Sequence, residues 1–138
     1  MNLAESGDFV LINQARLAEQ FYGRLFSEHP EMQPFFEGVD LAHQQEKLAT
    51  ALSTIVRQET VGGWVSENYL HGLGKMHLTM RVGRELFPRF IDTLMKSLAE
   101  LHEADWTMRL EDDWRAALNK SLKLMLSEYD AADSESQS

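Results

Sequence analysis

Apolar residues recur along this chain at intervals of three and four, and no stretch alternates apolar with polar residues between hairpin turns. That period puts them on one face of an α-helix, so the chain has to bury its apolar surface by packing helices together. The expected class is all-α. A helix is expected from about Gly7 to Leu17, merging into another through Ser27. Pro30 suits the first turn of a brief helix ending near Phe36, because proline there forfeits no intrahelical hydrogen bond. Asp40 can cap the next, from Leu41 to about Arg57, whose stripe is Gln44, Leu48, Leu52 and Ile55. After a turn at Val61-Gly62-Gly63, a helix is expected from near Trp64 to near Met80, broken at Val82-Gly83. A long helix follows from about Glu85 to His102, with Pro88 in its first turn. The last runs from about Thr107 to Tyr129, where Glu111, Asp112 and Asp113 suit the positive end of the helix dipole.

The chain has 138 residues, 43% of them hydrophobic, which is enough for one core and too few for two domains with separate chemistry. Residues 1–130 are expected to form that single domain. The closing DAADSESQS is small, polar and acidic, so residues 131–138 are expected to be a disordered tail. A formal charge of −9 without any Lys/Arg cluster argues against nucleic acid or an anionic membrane as partner. Small molecules or proteins remain. The start MNLAESGDFVLINQ has no basic region and no long apolar run, and no stretch reaches the ~20 apolar residues of a membrane span, which predicts a cytoplasmic protein. With no cysteine, disulfides, thiolate nucleophiles and thiolate metal sites all fall away. Neither GxSxG, a P-loop nor GxGxxG occurs.

Three polar side chains occupy positions where the pattern calls for apolar ones: Tyr22 beside Phe21, Leu25 and Phe26; Gln44 in line with Leu48; and His77 in the stripe Leu70, Leu73, Met76, His77, Met80. A buried polar group without a partner costs about 1–3 kcal/mol, so each requires an account. Taken singly, each has an ordinary one. His77 can donate to a carbonyl one turn back, Gln44 can sit at a boundary, and Tyr22 can carry its hydroxyl to the surface. Together they place two hydrogen-bonding groups on early helices and one imidazole on a later helix across an apolar gap. His71 lies about 240° around the helix from His77, so the two cannot chelate one ion. A single imidazole suffices when a macrocycle supplies four further ligands, and that combination points to haem.

The segments FYGRLFSEHPEMQPFF (Phe21 to Phe36), DLAHQQEKL (Asp40 to Leu48) and LGKMH (Leu73 to His77) give the chain, from about Phe21 to Tyr129, a resemblance to the bacterial single-domain globins and the globin part of flavohaemoglobins. The resemblance implies a globin fold of about six to seven helices around a pocket for haem b. It implies that His77 is the proximal iron ligand, that Phe36 wedges against the porphyrin face, and that Tyr22 and Gln44 are the distal pair that hydrogen-bonds the gaseous ligand. Leu48 would crowd the distal site. Lys47 and Arg81 are candidates for pairing with the haem propionates, or else solvated surface charges, and Val82 joins the cofactor-contacting set.

Two features depart from the family pattern. The segment before Tyr22 is shorter, which implies a shortened first helix. Flavohaemoglobins place a tyrosine and a glutamate behind the proximal histidine, and the tyrosine position here is Phe87, which cannot hydrogen-bond. The acceptor left for the imidazole N–H is a carbonyl near Leu73 or Gly74, which implies less electron donation to iron and a more globin-like than peroxidase-like site. The activity implied is oxidation of nitric oxide to nitrate with dioxygen. Such a cycle needs a separate reductase, since the chain has no nucleotide-binding fingerprint. Two alternatives stand beside it: a reversible module that senses or stores dioxygen, nitric oxide, carbon monoxide or sulfide, and a haem-free interaction domain.

Overall fold

The computed structural model of the protein describes residues 1–137, and among them the regular structure is entirely helical. Six α-helices occur in the order α1 (Leu3–Ile12), α2 (Gln14–Glu28), α3 (Leu41–Thr60), α4 (Trp64–Thr79), α5 (Leu86–His102) and α6 (Met108–Gln137). Short 3-10 helices at Pro30–Phe36 and Glu103–Asp105 connect α2 to α3 and α5 to α6. None of the described helices is long and apolar enough to cross a membrane.

The helix starts follow from local chemistry. Asp40 caps α3, its side chain accepting from the Ala42 N–H at 2.9 Å. The first helix is short, with 10 residues, but it begins at Leu3 rather than near Gly7 and stays distinct from α2. The reason is a capping box. Asn2 Oδ1 accepts from the Glu5 N–H at 2.8 Å while the Asn2 N–H donates to Glu5 Oε1 at 3.0 Å.

The other end needs a correction as well. Helix α6 does not stop at Tyr129 but continues through Gln137, so residues 131–137, expected to be disordered, are helical. Ser138 lies outside the described residues. Arg84, ahead of α5, reaches Asp130 Oδ1 at 2.9 Å and Asp133 Oδ2 at 2.6 Å. Two carboxylates one turn apart on the last helix thus share one guanidinium, an arrangement that composition does not reveal.

The helices pack in pairs, α1 on α3, α2 on α5 and α4 on α6. Phe21, Leu25, Leu52, Leu70, Leu94, Leu98 and Trp114 form the innermost core. The α4–α6 pair requires a glycine: a Cβ on Gly74 would lie 2.2 Å from the Met125 carbonyl oxygen. That close approach sets how deeply α4, and the histidine one turn later, sits against the core.

Candidate functional site

His77 sits in the last turn of α4, and its Nδ1 lies 2.7 Å from the Leu73 carbonyl oxygen. A carbonyl only accepts, so Nδ1 carries a proton and donates it. Nε2 makes no hydrogen bond within the described residues, and the ring lines an apolar cavity. His71 is held elsewhere. Its Nδ1 lies 3.1 Å from Ser127 Oγ and 3.6 Å from Glu128 Oε1, both on α6. The two histidines therefore face different surroundings, as their angular separation on the helix requires.

The cavity encloses about 250 Å³ and lies between α2, α3, α4, α5 and α6. Tyr22 from α2 and Gln44, Lys47 and Leu48 from α3 line it together with Phe36, His77 and Val82. Tyr22 is buried and stands edge-on to Phe36, with ring centroids 5.5 Å apart, and Phe26 completes the aromatic cluster at 5.4 Å from Phe36. Burial pushes the Tyr22 hydroxyl up to about 12, against the smaller opposing effect of a hydrogen bond with Gln44. At neutral pH Tyr22 is therefore a protonated phenol, able to donate. Exposed Lys47 also borders the cavity.

Seven of the eight residues singled out in the sequence meet at this one cavity: Tyr22, Phe36, Gln44, Lys47, Leu48, His77 and Val82. Arg81 is the one that does not line it. It follows the end of α4 in a left-handed conformation, φ 63°, with its N–H bonded to Leu78 O at 3.0 Å, and its side chain is exposed. That terminal turn closes the helix and carries position 81 away from the inward stripe.

Behind His77 stands Phe87, its ring centroid 5.7 Å away. It supplies packing and no hydrogen bond, so the Leu73 carbonyl is the imidazole's acceptor. Tyr129 escaped the sequence reading. It packs on Phe87 with centroids 5.9 Å apart and donates its hydroxyl to the Val82 carbonyl at 2.6 Å, with Arg84 over its ring at 5.6 Å. The last helix thereby pins the turn that follows the histidine. A tyrosine on the apolar stripe of the final helix was the available signal, but nothing local names a partner 47 residues away.

A haem group fits these residues. The cavity walls are mainly Leu, Ile, Met and Phe, the His77 Nε2 has no hydrogen-bond partner among the described residues, and Tyr22 and Gln44 are among the polar side chains that border the same space. His77 would hold the iron, Phe36 and Val82 would pack against the ring system, and exposed Lys47 would be the cation available to a haem carboxylate. No curated protein matches the chain significantly. The Globin family model matches residues 19–125, which take in Tyr22, Phe36, Gln44 and His77 as well as helices α3, α4 and α5, and the chain belongs to the globin family.

Proposed function

We propose that this globin binds haem through His77 and uses Tyr22 and Gln44 to hold dioxygen, turning over nitric oxide to nitrate with electrons from a separate reductase. Haem would supply the iron that binds the gas and changes oxidation state. The rest follows from the chain itself. Dioxygen gains negative charge as it binds, and fixed donors in a site lined by apolar side chains stabilise such charge better than water does, because they need no reorganisation. The Tyr22 hydroxyl is protonated at neutral pH and borders the same cavity as His77, and this observation supports the reading most strongly. The similarity to flavohaemoglobin globin domains at Tyr22, Gln44 and His77 supports it further.

Phe87 favours a second reading, reversible gas sensing or storage. With Phe87 in place of a hydrogen-bonding group, His77 donates to the Leu73 carbonyl rather than to a carboxylate, which would limit electron donation to iron. One set of measurements separates the readings. The haem-loaded, reduced protein is mixed with dioxygen and then nitric oxide, and nitrate is counted per reduction cycle beside the oxygen release rate. Slow release with one nitrate per cycle supports the dioxygenase. Fast release without stoichiometric nitrate supports the reversible module, and no Soret band after haem addition overturns both.

A further inference from the structure

Away from the cavity, three buried side chains from three helices form a closed hydrogen-bond relay. Trp114 of α6 donates its Nε1–H to Ser6 Oγ of α1 at 2.8 Å. Ser6 Oγ lies 2.6 Å from Nε2 of His102, the last residue of α5, and His102 Nδ1 lies 2.6 Å from the Leu98 carbonyl oxygen. Because that carbonyl can only accept, Nδ1 carries the ring proton and Nε2 accepts from the Ser6 hydroxyl. Every donor has an acceptor, and the arrangement closes only when the imidazole is neutral. Ser6 and Trp114 are 0% exposed and His102 is 3% exposed, so water cannot replace a bond that is lost. The Ser6–His102 pair has the spacing of a nucleophile and its base, but Ser6 lines neither described cavity, so no substrate reaches it.

The surroundings of His102 are apolar. Phe9 of α1 and Trp106 face the ring at 4.8 Å and 5.2 Å between centroids, and Trp114 approaches through Ser6. Asp105, in the turn after α5, is the charged group that acts on the imidazole and favours its protonated form. Neighbouring Glu103 is occupied by Arg16 of α2, at 3.4 Å on the surface. Burial outweighs Asp105 and holds His102 below the usual imidazole range.

Protonation would put a proton on Nε2, so the Ser6 oxygen, which already accepts from Trp114, would have to accept from the imidazolium as well, and the buried Ser6 hydroxyl proton would lose its acceptor. The contact weakened is the one joining α1 to α5 and α6. Helix α1 in turn lies on α3, so closely that a Cβ on Gly7 would sit 3.1 Å from Val56 Cγ1. Gln44 and Leu48 belong to that same helix α3.

We propose that the Trp114–Ser6–His102 relay is an acid-sensitive latch: it holds α1 against the bundle, and acidification frees α1 and loosens the α3 wall of the cavity. Release of α1 stands without any cofactor; only its effect on gas exchange rests on the haem reading. The sign follows from linkage. The native ring binds a proton less readily than the unfolded chain, whose imidazole titrates near ~6.5. The latch therefore contributes fully above that pH and is lost as pH falls below it toward the lowered native value.

Since the chain has no cysteine, single cysteines report local opening through their reaction with 4,4′-dithiodipyridine. Val10→Cys probes α1 at a site 1% exposed, Ile12→Cys at 82% exposure corrects for thiol reactivity, and Leu25→Cys, 0% exposed on α2, reports global loosening. Between about pH 7.5 and about pH 5.5 the corrected labelling of Val10→Cys should rise by up to about tenfold, the limit set by an opened imidazole that titrates near ~6.5 and is about ten parts protonated to one at one pH unit below, while Leu25→Cys stays protected. Adding Ser6→Ala should raise labelling of Val10→Cys at the higher pH and remove the step, and adding His102→Gln should remove the step. If His102→Gln does not fold, Ser6→Ala alone decides. Unchanged Val10→Cys labelling, a step that survives Ser6→Ala, or a parallel rise at Leu25→Cys would each overturn the latch.

Discussion

Replacing Tyr22 by phenylalanine deletes one oxygen atom and almost no volume, so the substitution isolates a hydrogen bond from the packing around it. Tyr22 is 5% exposed, and its edge-on contacts with Phe21 at 4.9 Å and Phe36 at 5.5 Å involve the ring, which the variant keeps. What changes is the donor. Because burial pushes the hydroxyl up to about 12, the wild-type phenol is protonated at neutral pH, and under the proposed function the lost interaction would be a full hydrogen bond to dioxygen as it gains charge. Bonds of that kind contribute about 1.5–3 kcal/mol, so oxygen release from the haem-loaded variant should quicken by roughly ten- to a hundredfold. Carbon monoxide gains less charge on binding and should be released at nearly the wild-type rate. Gln44→Leu should shift oxygen release in the same direction, and the double variant should be less than additive, since both donors would serve one ligand. Stopped-flow oxygen dissociation on the three variants is the assay. Unchanged rates in all of them would mean that Tyr22 and Gln44 are structural polar residues, and the proposed nitric oxide chemistry would lose its basis.

Other perturbations test the framework around the site. His77→Ala should abolish stable haem retention, read as loss of the Soret band after gel filtration, whereas His71→Ala should retain it, because His71 contacts Ser127 and Glu128 rather than the cavity. Gly74→Ala would drive a methyl group into the Met125 backbone, and the resulting overpacking should lower stability by about 1–3 kcal/mol in urea denaturation. Tyr129→Phe leaves the Val82 carbonyl without its hydroxyl partner; a loss of about 1 kcal/mol and a changed iron–imidazole stretch in the haem-loaded protein are expected. In His102→Gln the decline in stability as pH falls below ~6.5 should be shallower than in wild type, by chemical denaturation across that range.

Much of the fold was written in local pattern. Periodic stripes and caps such as Asp40 act within one or two turns, so they specify a helix before any partner arrives. The same logic exposed the site. A histidine, a glutamine and a tyrosine on apolar stripes stand out because burying them needs a reason, and the structure brings all three to one cavity. The capping box at Asn2 and Glu5 was equally local and could have located the start of α1.

Other features depended on residues far apart in sequence, and no local pattern contains such a pairing. Arg81 has the charge and the position of a cavity-mouth residue, yet the left-handed turn that ends α4 carries it away from the cavity. The last helix extends to Gln137 with Arg84, from the turn ahead of α5, bridging Asp130 and Asp133. Tyr129 finds the Val82 carbonyl, and Ser6, His102 and Trp114 find one another, only after the helices have docked. Sequence by itself determined which faces are apolar and which polar groups need partners. Tertiary structure decided who those partners are, because a hydrogen bond depends on distance and direction to an atom that the local chain does not supply.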